Sequence, residues 1–364
     1  MKNSFGQSII LTVFGESHGN AVGAVIDGLA PGIPVDSSFI ESQLVLRRPS
    51  GRTGTARREE DRFEIVSGVF SGMTTGTPLC IMIPNTSAKS SDYESLKDLA
   101  RPGHADYTSN EKYHGFQDYR GGGHFSGRVT AAVVAAGAVV ISALRMKNIK
   151  IGTHISRCAG ISDRGFSDYK SDIDMLNVTD FAFLDPDAGT MMKDRIESIA
   201  AEGDSTGGIL ETAVIGLPAG LGEPWFDSAE SVISHAVLSI PGIKGIQFGD
   251  AFDMADAKGS EFNDPFAVSK DGKIVTVTNH NGGINGGITN GMPVVFRSMV
   301  KPTPSISRTQ ETVDFVCRES REISVTGRHD PAIIHRARVV VDSLTAFCLA
   351  DLISEHFGTD YLGK

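Results

Sequence analysis

The chain has 364 residues, of which 40% are hydrophobic and 21% are charged, and its formal net charge is −10. This length is enough for two units of ordinary domain size, and the composition is ordinary for a soluble globular protein. A net acidic chain disfavours nucleic-acid binding, because nucleic-acid-binding proteins usually carry a net basic face. We therefore expect no nucleic-acid partner, and we expect local cationic clusters to bind a small anion.

Cysteine usage and hydropathy bear on the compartment. The four cysteines are far apart and form no CxxC pair: Cys80, Cys158, Cys317 and Cys348. This spacing is typical of reduced thiols in a cytoplasmic protein, and it disfavours a disulfide scaffold or a zinc site. The apolar run at 9–14 is too short for a signal peptide, and the Ala-rich run at 129–144 is at or below the shortest membrane-spanning length. We expect a cytoplasmic protein with no membrane segment and a core helix at the Ala-rich run.

Short apolar runs that end at glycine turns predict strands, and longer apolar stretches predict helices. The predicted strands are 9–14, 22–26, 65–70, 79–83, 210–215, 274–278 and 293–297. The predicted helices are 39–46, 129–146, 229–238 and 339–356. Residues 84–118 and 159–190 are polar without strong periodicity, which predicts long loops. Such strands pair most easily as antiparallel hairpins, so the predicted fold class is α+β.

Four sequence elements recur in the same order in the two halves of the chain. They are GESHG (15–19) with GDSTG (203–207), SGMTTGTPLCIMI (71–83) with GGITNGMPVVFRS (286–298), RPGHADY (101–107) with the looser GRHDP (327–331), and the apolar helix 129–146 with 339–356. This order predicts a single domain over 1–364 with an internal pseudo-repeat, 8–158 and 196–358. Ligand pockets favour the seam between two halves, so we expect the functional residues there.

The three glycines at 121–123 form the first candidate site. Glycine lets the backbone approach a ligand closely, and a helix that starts after it presents free N–H groups to an anion. Four cationic or titratable residues surround this loop in the sequence: Arg101, His104, Arg120 and Arg128. The alternative interpretation is a glycine turn that only precedes a core helix.

His18 in GESHG and His104 in RPGHAD each lie in a tight turn with glycine. Two such histidines suit general acid–base chemistry near neutral pH, and Asp106 is close enough to orient the His104 ring. The second half has Thr206 where the first has His18, which indicates that the symmetric positions are specialised. The alternative for a single histidine is a buried structural role. Neither histidine has a metal-binding spacing such as HExxH, so no metal is expected.

The segment 46–62 holds six arginines. Arg47, Arg48 and Arg52 flank a Pro-Ser-Gly turn and lack acidic neighbours in the sequence. Because the guanidinium fork matches phosphate and carboxylate oxygens, we expect these three to bind an anion. The other arginines alternate with acidic residues and predict a solvated, self-paired face, made of Arg57, Arg58, Glu59, Glu60, Asp61 and Arg62.

The second half contributes three further segments. The glycine-dense run 282–291 permits close backbone approach to a flat ligand. Two prolines in KPTPS (301–305) hold its Lys, Thr and Ser as an extended row of donors, and Asp330 is a candidate to accept or relay a proton. Together these segments suggest a large polyanionic ligand and a smaller anionic substrate.

Several common motifs are excluded. GDSTGG (203–208) differs from the GDSGG of trypsin-like proteases by an additional Thr206, and no secretory signal or disulfide framework supports a protease. The chain has no GxxxxGK[ST] and no GxGxxG after a predicted strand. A nucleotide-like cofactor would therefore bind without a P-loop or a Rossmann fold.

Taken together, the motifs resemble those of the chorismate synthases along nearly the whole chain. The matching segments are FGESHG, GLAPGIP, RRPSGR, GVFSGMTTGTP, RPGHADY, KYHG with DYRGGG, EGDSTGG, GLPAGLGEPWFD, GIKGIQFG, NHNGGINGGITNG, KPTPSI and GRHDP. The resemblance implies a carbon–oxygen lyase that converts 5-enolpyruvylshikimate-3-phosphate to chorismate and phosphate by anti-1,4-elimination with reduced FMN, in aromatic amino acid biosynthesis. It also implies a homotetramer and a β–α–β sandwich of two pseudo-symmetric halves, with antiparallel sheets and central helices.

The resemblance also implies roles for individual residues. His18 would protonate or hold the leaving phosphate, His104 would interact with the reduced flavin, and Asp330 would assist proton movement at flavin N5. Arg47 and Arg52 match arginines assigned to NADP or a substrate phosphate. The implied FMN-contacting positions are His124, Phe125, Ser126, Pro241, Gly242, Gly286, Lys301, Pro302, Thr303, Pro304, Ser305 and Arg328.

The chain departs from the family pattern at the glycine loop. The family usually has GGRSSAR where this chain has GGGHFSGR, so His124 and Phe125 replace an arginine and a serine. We expect backbone contacts from this loop to FMN, and we expect the protein to depend on an external source of reduced FMN because the chain carries no additional reductase domain. Two alternatives stay open: a flavin-dependent oxidoreductase that uses the same pocket, and a non-enzymatic anion-binding module.

Overall fold

The computed structural model describes residues 2–48, 61–86, 96–325 and 330–363. Within these ranges the strands are β1 (Ser4–Phe5), β2 (Ile10–Gly15), β3 (Ala21–Asp27), β4 (Glu64–Ser67), β5 (Val69–Phe70), β6 (Met73–Thr74), β7 (Leu79–Pro84), β8 (Lys150–Cys158), β9 (Ile161–Ser162), β10 (Gly208–Ile215), β11 (Ile243–Phe248), β12 (Phe266–Val268), β13 (Ile274–Thr276), β14 (Ile284–Asn285), β15 (Ile288–Thr289), β16 (Val294–Val300), β17 (Gln310–Asp314) and β18 (Glu319–Ile323). The α-helices are α1 (Ser37–Arg47), α2 (Asp106–Tyr113), α3 (Thr130–Met146), α4 (Tyr169–Leu176), α5 (Pro186–Ala201), α6 (Ala229–Leu238), α7 (Gly259–Phe262) and α8 (Ile334–Phe357).

Two five-stranded antiparallel sheets form the outer layers. The first has the order β1-β2-β3-β7-β4, and the second has the order β11-β16-β10-β8-β9. The two sheets correspond in two ways. The central strand of each, β3 or β10, is followed in the chain by a helix, α1 or α6. The same strand pairs with the last strand of its sheet before the long apolar helix, so β3 pairs with β7 before α3, and β10 pairs with β16 before α8. We propose on this basis that the halves arose by duplication. Strand β8 then belongs to the second half, whereas the predicted boundary put it in the first.

The long helices fill the space between the sheets. Helix α3 packs on β3 and β7, α8 packs on β8 and β10, and the two helices contact each other. Leu79, Ile81 and Ile83 alternate along β7 and are all buried, as expected for a strand with one face on a core. The predicted α+β class and the β–α–β sandwich are confirmed.

The apolar helix is a core helix. The segment Gly127–Met146 is long and apolar enough to cross a membrane, with a mean hydropathy of 2.0 over an 18-residue window, but 78% of that window is buried inside the protein. Every residue from Ala131 to Ile141 is buried. A β-carbon added to Gly137 would lie only 2.4 Å from Cβ of Ser343, so glycine permits the close approach of α3 and α8.

Some predicted elements differ from the structure. The predicted loops 84–118 and 159–190 contain α2, α4 and the start of α5, and the predicted strand 65–70 is divided at Gly68 into β4 and β5. The predicted strand 274–278 is only β13, in a separate hairpin with β12. Strands β8 and β11 were not predicted. In β8 the polar Thr153 and His154 interrupt the hydrophobic pattern that would predict a strand. Both are nevertheless fully buried, because residues from distant parts of the chain supply their hydrogen-bond partners.

Candidate active site

The 3-10 segment Arg120–Phe125 carries the three-glycine turn, and this turn lies between two histidines. All three glycines have positive φ (59°, 80° and 52°), which L side chains rarely adopt. A β-carbon on Gly121 would lie 2.5 Å from Cδ2 and 2.6 Å from Nε2 of His18, and one on Gly122 would lie 3.4 Å from Nε2 of His104. Since consecutive Cα atoms are about 3.8 Å apart, one short turn brings the two imidazoles together.

The GESHG turn is fixed to the glycine turn by hydrogen bonds. The Ser17 amide donates to the Gly123 carbonyl at 3.0 Å, and Nδ1 of His124 donates to the Gly15 carbonyl at 2.7 Å. The Asn85 side chain donates to two further carbonyl groups of the same turn at 2.9 Å. His124 is one of the predicted FMN-contacting residues, and one of its two ring nitrogens is thus bound to the GESHG turn.

His104 is held by its own loop. Its Nδ1 lies 2.9 Å from Oδ1 of Asp106, and the Arg101 guanidinium binds both oxygens of the same carboxylate at 2.7 and 2.8 Å. Burial raises the pKa of Asp106, but hydrogen bonds from Arg101 and His104 outweigh it and hold that pKa well below its ordinary value. Arg101 is therefore paired with a carboxylate inside the protein.

A second arginine near the glycine turn is also paired. Arg120 binds both carboxylate oxygens of Asp118 at 2.8 Å. Hydrogen bonds from Arg120 are the main cause that lowers the pKa of Asp118, and the charge of His18 lowers it further. This second ion pair brings negative as well as positive charge to the turn.

Residues of the second half reach the His104 loop. Nζ of Lys301 donates to the Gly103 carbonyl, and a β-carbon on Gly103 would lie 3.5 Å from Cβ of Pro304. The Lys301 amide donates to the Gly242 carbonyl at 2.9 Å. Oγ1 of Thr303 is buried and has no hydrogen-bond partner in the part of the chain that the structure describes. Lys301 and Pro304 of the predicted KPTPS row thus meet the first half next to His104, and the Gly242 carbonyl binds the backbone of the same lysine.

A small cavity opens beside the His104 ring. Its lining includes His104, Ala105, Gln117, Tyr119, Gly122 and Phe125. Oε1 of Gln117 is buried without a hydrogen-bond partner among the described residues. The Ser126 hydroxyl, just beyond the lining, accepts a hydrogen bond from the Arg128 amide at 3.2 Å and so caps the following helical turn. The lining of the cavity thus combines ring surfaces with one residue that has an unsatisfied polar atom.

The arginine-rich segment contributes a buried cluster around Asp61. Oδ2 of Asp61 lies 3.5 Å from Nη2 of Arg47 and 3.6 Å from Nε of Arg48, and Oδ1 is bound by Arg128. Asp61 is only 4% exposed, so the predicted solvated, self-paired face is wrong for this residue. Arg47 is 1% exposed, and its Nη1 also lies 3.5 Å from the Gly127 carbonyl oxygen. Arg52 lies outside the described residues.

Asp330 is linked to this cluster. It forms an ion pair with Arg336, whose Nε donates to the Arg47 carbonyl at 2.9 Å. On the other side of the cluster, Nε of Arg128 donates to Oδ1 of Asn85 at 3.0 Å, and Asn85 in turn holds the GESHG turn. A continuous set of polar contacts therefore joins Asp330 to the turn that carries His18. Arg328 lies outside the described residues.

One predicted FMN-binding position is remote from the histidines in this chain. Gly286 lies between β14 and β15, and the neighbouring Gly283 packs on the Pro293 carbonyl just before β16. Lys301 follows the other end of β16, a strand of seven residues and hence about 20 Å long. Lys301 and Pro304 of the second half reach the His104 loop, whereas Gly286 does not.

Three residues of the site were missed from the sequence: Asn85, Gln117 and Arg336. Each acts through contacts with residues far from it in the chain or through a polar atom aimed at the cavity. No motif contains them, so no signal in the sequence singled them out. Within the described ranges, no group of three or more His, Cys, Asp or Glu side chains is arranged to hold a metal ion.

Known proteins are similar to this chain in both sequence and fold. The model of the chorismate synthase family matches residues 9–354. A chorismate synthase of Archaeoglobus fulgidus is 46% identical over 349 residues, with 96% of each chain covered. One of Lachnoclostridium phytofermentans is 41% identical over 366 residues and covers 100% of this chain and 98% of its own. A crystal structure of chorismate synthase matches with a TM-score of 0.75 at 27% identity, over 98% of this chain and 94% of that chain. The chain therefore belongs to the chorismate synthase family, whose members are lyases of the shikimate pathway.

Proposed function

We propose that the protein converts 5-enolpyruvylshikimate-3-phosphate to chorismate and phosphate with reduced FMN bound at the glycine turn. One observation carries the proposal: His18 and His104 face adjacent residues of the same turn. Membership of the family supports the same lyase activity. In the reaction the allylic C–O bond to phosphate breaks, a hydrogen leaves the ring on the opposite face, and a second ring double bond forms.

The residues around the cavity fit a flavin. Phe125 and Tyr119 offer ring surfaces, and the unsatisfied Oε1 of Gln117 offers a polar contact to a heteroaromatic ring system. The positive φ angles of the glycine turn allow the backbone to approach a flat ligand without a β-carbon between them. FMN, when bound, would supply electron density that weakens the allylic C–O bond and would receive the departing ring hydrogen.

The remaining predicted FMN positions have separate tasks in this proposal. The backbone of 124–126, the turn at 241–242 and the 301–305 row would hold the cofactor, and Arg328 would add a cationic contact to its phosphate. Gly286 would contribute through another subunit of a homotetramer, because it is remote from His104 in its own chain. The large side chains of Trp225 and Phe226 are 83% and 86% exposed, which supports burial of apolar surface in such an assembly.

His18 is the residue that would act on the leaving phosphate. It is 8% exposed and is held against Gly121, so its ring has little freedom to move. A protonated imidazole in this position would donate a proton to a phosphate oxygen as the C–O bond breaks, which stabilises the charge that develops there. Lys301 would add a fixed positive charge, and Asp330 would exchange protons near the cofactor. Arg47 or Arg52 would bind a substrate or nucleotide phosphate.

An anaerobic assay tests the proposal. The purified full-length protein is mixed with chemically reduced FMN and 5-enolpyruvylshikimate-3-phosphate, and released phosphate and chorismate are measured. We expect both products in equal amounts, and no release above the protein-free background would refute the activity.

Two additional arms use oxidised FMN, with and without NADPH. Turnover only with pre-reduced FMN supports dependence on an external source of reduced flavin. Consumption of NADPH in proportion to product would instead support the flavin-dependent oxidoreductase.

A further inference from the structure

Arg101 and His104 both form hydrogen bonds to the carboxylate of Asp106. The Arg101 amide and Nε donate to Oδ2 of Asp106 at 3.0 and 2.8 Å. Nη2 of Arg101 lies 2.7 Å from Oδ1, and Nδ1 of His104 lies 2.9 Å from the same oxygen. Asp106 is also the first residue of α2, where the helix dipole favours a carboxylate. These four donors leave the carboxylate a single orientation.

This arrangement determines which ring nitrogen of His104 carries the proton. The hydrogen bonds from Arg101 keep Asp106 ionised, and an ionised carboxylate only accepts hydrogen bonds. Nη2 of Arg101 is 3.1 Å from Nδ1, but if Nδ1 accepted a hydrogen bond from it, the Nδ1 lone pair would face the ionised Oδ1 of Asp106 at 2.9 Å, which is repulsive. Nδ1 of His104 must therefore donate to Asp106, and in the neutral ring the lone pair resides on Nε2.

Nε2 is the nitrogen on the side of the cavity. A β-carbon on Gly122 would lie 3.3 Å from Cε1 and 3.4 Å from Nε2 of His104, so this edge of the ring faces the glycine turn. The loop itself is fixed from outside: the Ala100 amide donates to the Val313 carbonyl of β17 at 3.1 Å. Packing of the second half thus fixes the loop, and the carboxylate fixes the ring within it.

We propose that Arg101 and Asp106 are positioning residues that hold His104 with its proton on Nδ1 and its Nε2 lone pair directed at the ligand on the glycine turn. The inference rests on the proposed function only for the identity of that ligand. His104 then takes a proton from an N–H or O–H group of the bound ligand at Nε2 and returns it there. Arg101, although it lies in a cationic segment, contributes through Asp106.

The tautomer can be measured without cofactor or substrate. The full-length protein is labelled with ¹⁵N in its histidine rings, and its spectrum is recorded by magic-angle-spinning NMR above neutral pH. The His104 signals are identified by their loss in His104→Gln. We expect the Nδ1–H tautomer to predominate at His104 in the wild-type protein. A predominant Nε2–H tautomer would overturn the inference, even if Asp106→Asn failed to fold.

Asp106→Asn tests the cause of the tautomer. Arg101 would keep the amide oxygen, so the amide NH₂ would face Nδ1 and the proton would move to Nε2. We expect the tautomer to invert and kcat for phosphate release to fall by roughly 10²-fold or more, with a smaller change in KM, as for a base held in the wrong tautomer. Asp106→Glu keeps an acceptor and is expected to restore the Nδ1–H form.

Asp118→Asn is the matched control for the tautomer. Asp118 also lines the cavity and also binds an arginine through both oxygens, but it does not contact His104. We expect the His104 tautomer to stay unchanged in this variant. An unchanged tautomer in Asp106→Asn, or an equal inversion in Asp118→Asn, would contradict the inference. If the tautomers behave as expected but the wild-type protein releases no phosphate, the proposed function fails and the assignment of the proton stands.

Discussion

The ring of His18 occupies the space that a β-carbon on Gly121 would need: the added atom would lie 2.5 Å from Cδ2 and 2.6 Å from Nε2 of the imidazole. Contacts this short do not occur between non-bonded atoms, so either the ring or the turn would have to move. The φ of Gly121, 59°, adds strain for any residue with a side chain. The position of His18 and the absence of a side chain at 121 therefore depend on each other.

Gly121→Ala is expected to remove most of the activity while the protein stays folded. We expect kcat for phosphate release to fall by roughly 10²-fold, because displacement of a catalytic group by about 1 Å costs that much. Gly127→Ala is the matched control, since a β-carbon there meets no atom within 4 Å. Anaerobic kinetics and circular dichroism measure the two effects. Equal kinetics of the two variants would contradict the proposed role of the turn.

Each of the two histidines is expected to be needed for turnover. His104→Ala and His18→Ala should each lower kcat by roughly 10²- to 10⁴-fold, the usual contribution of a positioned acid or base. His356→Ala, at the exposed end of α8, should retain wild-type kinetics. Thermal unfolding of all three variants shows whether the fold is intact. Near-wild-type turnover of His104→Ala would remove that residue from the mechanism.

Asp61 is expected to be essential for stability. Asp61→Asn leaves three arginines around a neutral amide at a buried position, and breaking a buried ion pair in this way costs about 3–5 kcal/mol. Asp174→Asn removes a carboxylate from the exposed pair with Lys150 and should cost less than about 1 kcal/mol. The free energy of unfolding in urea compares the two variants. A similar small loss in both would mean that the cluster does not depend on Asp61.

His335 is expected to make stability depend on pH. Its ring is 1% exposed and stacks on Phe181 with centroids 6.0 Å apart. Burial lowers the pKa of His335 from 6.5 to about 4, an effect that Asp330 opposes and Arg336 reinforces. As the pH falls, His335 therefore binds a proton in the unfolded chain before it does so in the folded protein. The free energy of unfolding is not reduced by this residue above about pH 6.5, and it falls progressively between about pH 6.5 and pH 4.

The variant His335→Phe keeps the stacked ring and removes the titration. The free energies of unfolding of the two proteins, measured from pH 7 to pH 4, should diverge with the wild type losing on the order of 2–3 kcal/mol more than the variant. Other titrating groups are common to both proteins and cancel in the difference. Parallel curves would show that His335 is not buried in its neutral form.

The family, the α+β class, the core helix α3 and the pair of turn histidines were all predictable from the sequence. These features depend on local patterns: an apolar run of helical length, glycines that mark turns, and motifs in which every residue is close to its neighbours in the chain. The orientation of His104 by Asp106 belongs to this group, because only two positions separate them. The chain itself thus determines which residues can do chemistry.

Only the tertiary structure showed which charged side chains form ion pairs within the protein. Arg101, Arg120 and Arg128 all appeared in the sequence as cationic residues around the glycine loop, yet each is paired with a carboxylate. For Arg128 that carboxylate is Asp61, which was assigned from the sequence to a solvated face. The same holds for the polar β8, whose buried Thr153 binds Asp342 of α8. A buried charge or hydroxyl group needs a partner, but folding can take that partner from any part of the chain. Such pairings are set by the packing of the two halves, and no local pattern in the sequence carries them.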